Sequence, residues 1–153
     1  MIAFTVNGEC RPAGSKRAFV LRRRDGSLVT RTNGAPIVNV TDDNAKSKGW
    51  KQTIGWAARE AAKDAPLLRG PLEVEFTFYR PRPNGHNGKR GLTKSGRETP
   101  FPISRPDALK LARAAEDALS GVLWNDDAQI VTETLRKRWG EPARVEVMVK
   151  EAQ

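Results

Sequence analysis

The sequence has almost none of the residues that build disulfides and zinc centres. It contains one cysteine, Cys10, and one histidine, His86, among 153 residues. A single cysteine excludes an internal disulfide, and one residue of each type excludes a Cys/His zinc cluster. We therefore expect a soluble protein of a reducing cytoplasm.

Long apolar runs are also missing. None approaches the roughly 20 residues of a membrane span, and no signal-peptide pattern opens the chain. The sequence also lacks a glycine-rich phosphate loop, and the order of its residues supports neither a Ser-His-Asp nor a Cys-His arrangement. These absences argue against a membrane protein, a P-loop enzyme and a hydrolase with such a nucleophile.

Positive charge is what the chain has in excess. Lysine and arginine number 27 against 18 aspartate and glutamate, which makes a formal net charge of +9 at pH 7. This balance favours a polyanionic partner, most often nucleic acid. Membrane-surface binding is the competing use of such charge, but the sequence has no long amphipathic helix with a basic face and a bulky apolar face. Charge alone does not decide between DNA and RNA.

Hydrophobic periodicity predicts one α+β domain over residues 1–153. Alternating apolar residues predict strands at Met1–Gly8, Pro71–Tyr79, Gln129–Trp139 and Ala143–Val149. Helical spacing predicts helices from Thr41 or Asp42 to about Lys63 and from Ala108 to Leu119. The expected architecture is a single mixed sheet of about four to six strands with two main helices packed on one face.

Three further features complete this prediction. The turn signals Asp25-Gly26 and Asn33-Gly34 predict short strands within residues 18–40. In the first helix, Trp50 and Trp56 are expected to pack in the core rather than to stack on bases.

Residues 80–104 are rich in Pro, Gly and basic side chains, and a structureless connection of this length is usually functional or disordered. We expect a flexible basic arm that orders on nucleic acid, with an inert linker as the alternative.

Acidic residues concentrate between residues 105 and 130, against the basic background. They are Asp107, Glu116, Asp117, Asp126 and Asp127. Asp107 is a good N-cap for the second helix, and the strand that follows Asp126 and Asp127 could bring them back towards the start of that helix. Two or three carboxylates meeting there would bind a hard divalent cation such as Mg²⁺. Leu109 is the oddest residue of the helix, because its angle places it beside Arg113 on the polar side.

This segment resembles the signature of the RusA family of Holliday junction resolvases, which are small phage and bacterial endonucleases. In that family a Pro-Asp-x-Asp-(Asn/Lys)-Leu-x-(Lys/Arg) run opens a helix carrying Asp-Ala-Leu, and Asp-Asp-x-Gln follows. The matching residues here are 106–113, 117–119 and 126–129. The match is ordered and gap-free over the helix, but Leu109 stands where the family has its second Asp.

The resemblance implies a metal-dependent endodeoxyribonuclease. It implies metal binding by Asp107 and Asp127, with Asp126 as a further candidate ligand, Mg²⁺ as the cofactor and Mn²⁺ as a substitute. Arg113 stands at the position of a catalytic-site lysine. The acid lost at Leu109 leaves a gap, and our hypothesis is that Glu116 or Asp117 compensates for it.

The resemblance also implies four-way or branched DNA as the substrate and a homodimer, because two cuts at a junction need two symmetric active sites. The loop after the first strand, Glu9–Arg17, resembles a family loop that lies in reach of DNA. The residues predicted to contact DNA are Lys16, Arg17, Arg82, Lys89, Arg90 and Lys110.

Plainer interpretations remain open at this point. Asp107 could be only an N-cap, Asp126-Asp127 only a turn, and Arg113-Asp117 only an i,i+4 ion pair. A DNA-binding module of the same fold that has lost catalysis is the main alternative, and Leu109 is the direct argument for it. A small basic RNA-binding protein is a third interpretation.

Overall fold

The computed structural model describes residues 1–14, 16–42, 45–63 and 65–153, without the side chains of residues 16, 17, 41, 42 and 45. Its strands are β1 (Ile2–Asn7), β2 (Lys16–Val20), β3 (Val38–Asp42), β4 (Leu72–Arg80), β5 (Asn87–Gly88), β6 (Gly91–Leu92), β7 (Ile130–Trp139) and β8 (Arg144–Glu151). Its α-helices are α1 (Ala45–Ala62), α2 (Lys94–Glu98) and α3 (Ala108–Leu119), and 3₁₀ turns lie at Asn84–His86 and Asp127–Gln129. None of the described helices is long and apolar enough to cross a membrane.

A four-stranded mixed sheet forms the centre of the fold, in the order β1-β8-β4-β7. β8 pairs antiparallel with both β1 and β4, whereas β7 pairs parallel with β4. Parallel neighbours require a crossover connection, and the chain between β4 and β7 supplies one that includes α3. The predicted α+β class and mixed sheet are confirmed.

Both main helices pack on one face of this sheet. Ile54 of α1 and Leu111 of α3 join Phe76 of β4 in a single buried cluster. On the opposite face of β4, Glu73 forms an ion pair with Lys150 at 2.7 Å, and Glu75 forms one with Arg136 of β7. The alternation read from the sequence of β4 therefore separates the core from a charged outer face.

Helix α3 begins and ends where the sequence predicted. Gly121, just beyond its end, has φ +75°, a conformation that glycine adopts without the steric cost of a Cβ atom. Its Ala-rich side packs against α1 and the sheet, and Ala112 and Ala115 are buried. Leu109 is 71% exposed, as its helical angle predicted.

Two predictions about α1 were wrong. Thr41 and Asp42 lie in β3, so neither caps the helix; the residues directly before Ala45 lie outside the described part of the chain. Trp50 is buried as expected, but Trp56 is 66% exposed. At about 100° per residue, Trp56 lies nearly opposite Ile54, the centre of the buried face.

Residues 16–42 form a ribbon in which β2 and β3 pair antiparallel, separate from the central sheet. Both predicted turns are present within it. The N–H of Gly26 donates to the carbonyl of Arg23 at 2.9 Å, and the N–H of Gly34 donates to that of Arg31 at 2.9 Å.

Candidate active site

The segment that leads into α3 is held by two basic residues at the ends of β4 and β7. Arg80 donates to the carbonyl of Arg105 at 2.8 Å and to Ser104. Lys137 donates to the carbonyls of Ser104 at 2.8 Å and Pro106 at 2.9 Å. These bonds fix the position of the next residue, Asp107.

Asp107 occupies the N-cap position, but its side chain makes no capping hydrogen bond. The interpretation of Asp107 as only a helix cap is therefore not supported. Asp107 lines a cleft of about 590 Å³ between the loop after β1 and the start of α3. The basic residues that line this cleft are Arg11, Arg80, Arg105 and Lys110. The backbone joins its two walls, because the N–H of Ala13 donates to the carbonyl of Lys110 at 2.8 Å.

Burial shapes the chemistry of two groups near this cleft. The pKa of Lys137 is lowered by burial and by the charge of Arg80, while Asp107 acts in the opposite direction. Burial raises the pKa of the Cys10 thiol to about 12. Cys10 is therefore a thiol at neutral pH and does not act as a thiolate nucleophile.

A group of acids lies where the second half of α3 packs against β7. The Glu116 carboxyl is hydrogen-bonded to Glu133, and burial raises the pKa of Glu116 to about 7. The hydrogen bond to Glu133 adds to this rise, as do the negative charges of Glu133, Asp127 and Asp117. Glu116 and Glu133 therefore place carboxylate oxygens, the donors that a hard cation prefers, side by side.

Asp127 is held beside this group by a buried tryptophan. The indole Nε1 of Trp124, which is fully buried, donates to Asp127 Oδ1 at 2.8 Å. Asp127 therefore lies with Glu116, whereas the sequence prediction brought it back towards the start of α3. Asp126 instead caps the 3₁₀ turn at Asp127–Gln129. Its Oδ1 accepts a hydrogen bond from the N–H of Ala128 at 2.8 Å within a capping box.

Asp117 forms an ion pair with Lys51 of α1 at 2.6 Å. The predicted i,i+4 pair with Arg113 is thus replaced by a contact between the two helices. Arg113 is exposed and forms no ion pair with any described residue. Glu116 and Asp117 are the two acids proposed to compensate for Leu109. Glu116 contacts another acid, whereas Asp117 forms an ion pair that links α3 to α1.

The predicted site residues therefore fall at two ends of α3. Asp107 and Lys110 lie at its basic start, and Glu116 lies with Asp127 near its end. Glu116 lies nine positions after Asp107 in the chain, which is about 13 Å along a helix. β7 runs opposite to α3, because its Glu133 meets Glu116 while its Lys137 meets Pro106.

The acidic end offers carboxylate oxygens, the type of donor that magnesium prefers. Among the described residues, no three His, Cys, Asp or Glu side chains are already grouped to hold a metal. Magnesium sites, however, commonly use one or two carboxylates together with water and substrate phosphate. Glu116 and Glu133 provide two carboxylates in contact, and Asp127 lies close enough for its charge to act on Glu116.

The residues predicted to contact DNA are distributed over three regions. Lys16 and Arg17 lie in β2, with side chains outside the described set. Lys110 lines the cleft beside Asp107. Lys89 and Arg90 are exposed, whereas Arg82 is half-buried within the segment that follows β4.

The sequence prediction does not include Glu133 and Lys137 as site residues, and it includes Arg80 only as part of the basic arm. A usable signal was present for the first two. They share one face of β7 with Leu135, which packs against the core, so all three point towards the helices. Their exact partners on α3 depend on how the strand and helix are aligned, which the local sequence does not encode.

Comparison with known proteins agrees with this fold. Residues 22–150 match the family Endodeoxyribonuclease RusA. The chain belongs to the RusA endodeoxyribonuclease family. It is also similar to a Bacillus subtilis (strain 168) protein named "Uncharacterized protein YqaN", with 30% identity over 151 residues, which are 98% of this chain and 96% of that protein.

Proposed function

We propose that this protein is a metal-dependent endodeoxyribonuclease that resolves Holliday junctions or other branched DNA in recombination and repair. The observation that carries the proposal is the contact between Glu116 and Glu133, close enough to Asp127 for its charge to act on Glu116, on a chain whose net charge is +9. Acids gathered in a basic protein suit a site that binds a cation and a polyanion together.

The cleft at the start of α3 would receive the DNA backbone. Arg105 and Lys110 are exposed there and form no ion pair with any described residue. Their charges are therefore available to a phosphate. Arg113, farther along the exposed side of the helix, would stabilise negative charge that develops on the phosphoryl group.

Mg²⁺, or Mn²⁺ in its place, would be held by Glu116, Glu133 and Asp127. Asp107 and Asp126 remain further candidate ligands from the sequence. When bound, the ion polarises a phosphoryl oxygen and lowers the pKa of an attacking water. Trp124 would keep Asp127 in position, because its indole N–H occupies one carboxylate oxygen and leaves the other available.

The proposed substrate also implies an assembly and a compartment. Two symmetric cuts in a four-way junction need two active sites related by a two-fold axis, so we propose a homodimer. We also propose a cytoplasmic location, where a bacterial or phage enzyme would meet its DNA substrate.

Cleavage of a labelled synthetic four-way junction with Mg²⁺ or Mn²⁺ tests the proposal, with a linear duplex beside it. Paired symmetric nicks that require the metal and disappear in Asp127→Asn and Glu133→Gln would support it. Glu60→Gln, an exposed substitution on α1, is the control for a lost glutamate. Nicks that persist in both site variants would refute the assignment of these acids.

A catalytically silent DNA-binding module is the second candidate. The observation that favours it is the exposed Leu109 at the position of the family's second acid. This alternative predicts tight junction binding without cleavage under either metal. The variant Asp107→Asn shows which end of α3 holds the catalytic centre. If it alone loses cleavage, the catalytic centre lies in the cleft at the start of α3.

A further inference from the structure

The basic segment after β4 is folded rather than structureless. We call residues 82–101 the basic lobe. It contains the 3₁₀ turn at Asn84–His86, the hairpin of β5 and β6, and helix α2. The expectation of a structureless arm in this region was wrong, since local turns and hydrogen bonds organise most of it.

Arg82 and Trp139 anchor the lobe to the end of β7. The Arg82 guanidinium donates to the carbonyls of Gly96 at 2.9 Å and Thr99 at 3.2 Å. It also lies over the Trp139 ring, 5.4 Å from the centroid, and His86 packs edge-on against the same ring. Trp139 Nε1 in turn donates to the carbonyl of Thr99 at 2.9 Å. The charge of Arg82 is thus used inside the lobe.

A second set of bonds joins α2 to the 3₁₀ turn. Thr93 caps α2 by accepting the N–H of Gly96 at 3.1 Å, and its hydroxyl donates to the carbonyl of Gly85 at 2.8 Å. Its own N–H donates to the carbonyl of His86 at 3.0 Å. Gly96 packs so closely that an added Cβ would overlap this carbonyl oxygen. Only glycine fits there without displacing the backbone.

The hairpin of β5 and β6 presents two adjacent cations at its tip. Lys89 and Arg90 form the turn, and both are exposed. Neither forms an ion pair or hydrogen bond with any residue that the structure describes. Within the lobe the single acid, Glu98, lies 3.8 Å from Lys94, so it does not neutralise the tip.

We infer that the pre-folded basic lobe places Lys89 and Arg90 on the phosphate backbone of a duplex arm of the DNA substrate. This inference rests on the proposed function in taking branched DNA as the partner. Two adjacent cations on a folded hairpin can each contact a phosphate of a duplex. Folding of the lobe before binding also avoids an ordering cost when DNA is bound.

The lobe ends next to the candidate active site. Three residues beyond Phe101, Ser104 accepts hydrogen bonds from Arg80 and Lys137, the two residues that position Asp107. Arg138 of β7 packs over the Phe101 ring at 5.1 Å. A duplex arm held by the lobe would therefore enter from the basic end of α3.

Binding to a four-way junction and to a linear duplex, measured with EDTA so that no cleavage occurs, tests the inference. In the variant Lys89→Gln/Arg90→Gln, the slope of log K against log salt should fall in magnitude by about two, because each lost phosphate contact removes roughly 0.9. Kd near 0.1 M salt should rise by at least about tenfold for both DNAs. Arg59→Gln/Lys63→Gln, which removes the same charge from exposed positions at the end of α1, should change the slope less. Equal changes in the two double variants would overturn the assignment.

Gly96→Ala tests whether the fold of the lobe matters, because it alters no charge. We expect it to weaken DNA binding about as much as the double variant does, while circular dichroism shows the main fold intact. Hydrogen exchange of the free protein should show protected amides at Thr93 and Arg97. Unprotected amides, or wild-type DNA binding by Gly96→Ala, would overturn pre-folding. Cleavage is not measured here, so an inactive protein with lobe-dependent binding would refute only the proposed nuclease function.

Discussion

Glu116 of α3 and Glu133 of β7 share a hydrogen bond at the place where these two elements pack. They come from positions 17 residues apart in the chain, and neither belongs to the motif through which the sequence resembles its family. The pair supplies two carboxylates near the end of α3, whereas Leu109, where the family's pattern is incomplete, lies at its start.

The raised pKa of Glu116 predicts a pH-dependent stability. The pKa of Glu116 in the folded protein is about 7, above its usual value of 4.5, so the contribution of this group to folding stability is fully present below about pH 4.5 and is lost as the pH rises through 7. Since Glu116 is half-exposed, we expect Glu116→Gln to stabilise the metal-free protein at pH 8 by only about 1 kcal/mol. At pH 4.5 the variant should match the wild type. Urea unfolding at both pH values measures this, and an equal difference at both would contradict it.

Asp127 should have separable structural and chemical roles. Removal of its carboxylate in Asp127→Ala leaves the Trp124 indole N–H without its acceptor and should cost about 1–2 kcal/mol of unfolding free energy. Asp127→Asn keeps an oxygen acceptor and should cost less. Both variants should lose junction cleavage. Chemical denaturation beside a cleavage assay tests this, and a stable, active Asp127→Ala protein would count against both roles.

Asp117 should matter less to cleavage than Glu116. Its carboxylate pairs with Lys51, a partly exposed contact between α1 and α3. Asp117→Asn is expected to cost no more than about 1 kcal/mol of stability and to retain cleavage. Glu116→Gln, assayed at the same protein concentration, should lose it. The reverse order of effects would assign the compensating role to Asp117.

Leu109→Asp restores the acid that the family carries at this position. Leu109 is 71% exposed, so the change should alter stability by no more than about 0.5 kcal/mol. We expect metal-dependent cleavage to rise by at least about tenfold, equivalent to ~1.4 kcal/mol of barrier. Leu109→Asn is the matched uncharged control. If the two variants cleave alike, the missing charge at this position has no bearing on catalysis.

Much of the fold followed from local patterns. The strict alternation of β4 and the helix formers between Asp107 and Gly121 predicted two elements that the structure places where expected. Local patterns did not predict the exposure of Trp56 or the folded structure of the segment after β4. A tryptophan near a buried helical face is not necessarily on it, and a Pro- and Gly-rich segment can fold around a partner such as Trp139 that is distant in sequence.

Residue order and local periodicity are enough to predict the family, the α+β class, the bounds of α3 and the absence of an acid at Leu109. Which acids come into contact depends on the tertiary structure. Three contacts arise from the alignment of α3 with β7 and α1. They are the hydrogen bond between Glu116 and Glu133, the hydrogen bond from Trp124 to Asp127 and the ion pair of Asp117 with Lys51. That alignment is set by packing of the whole core, so no single segment of the chain specifies it.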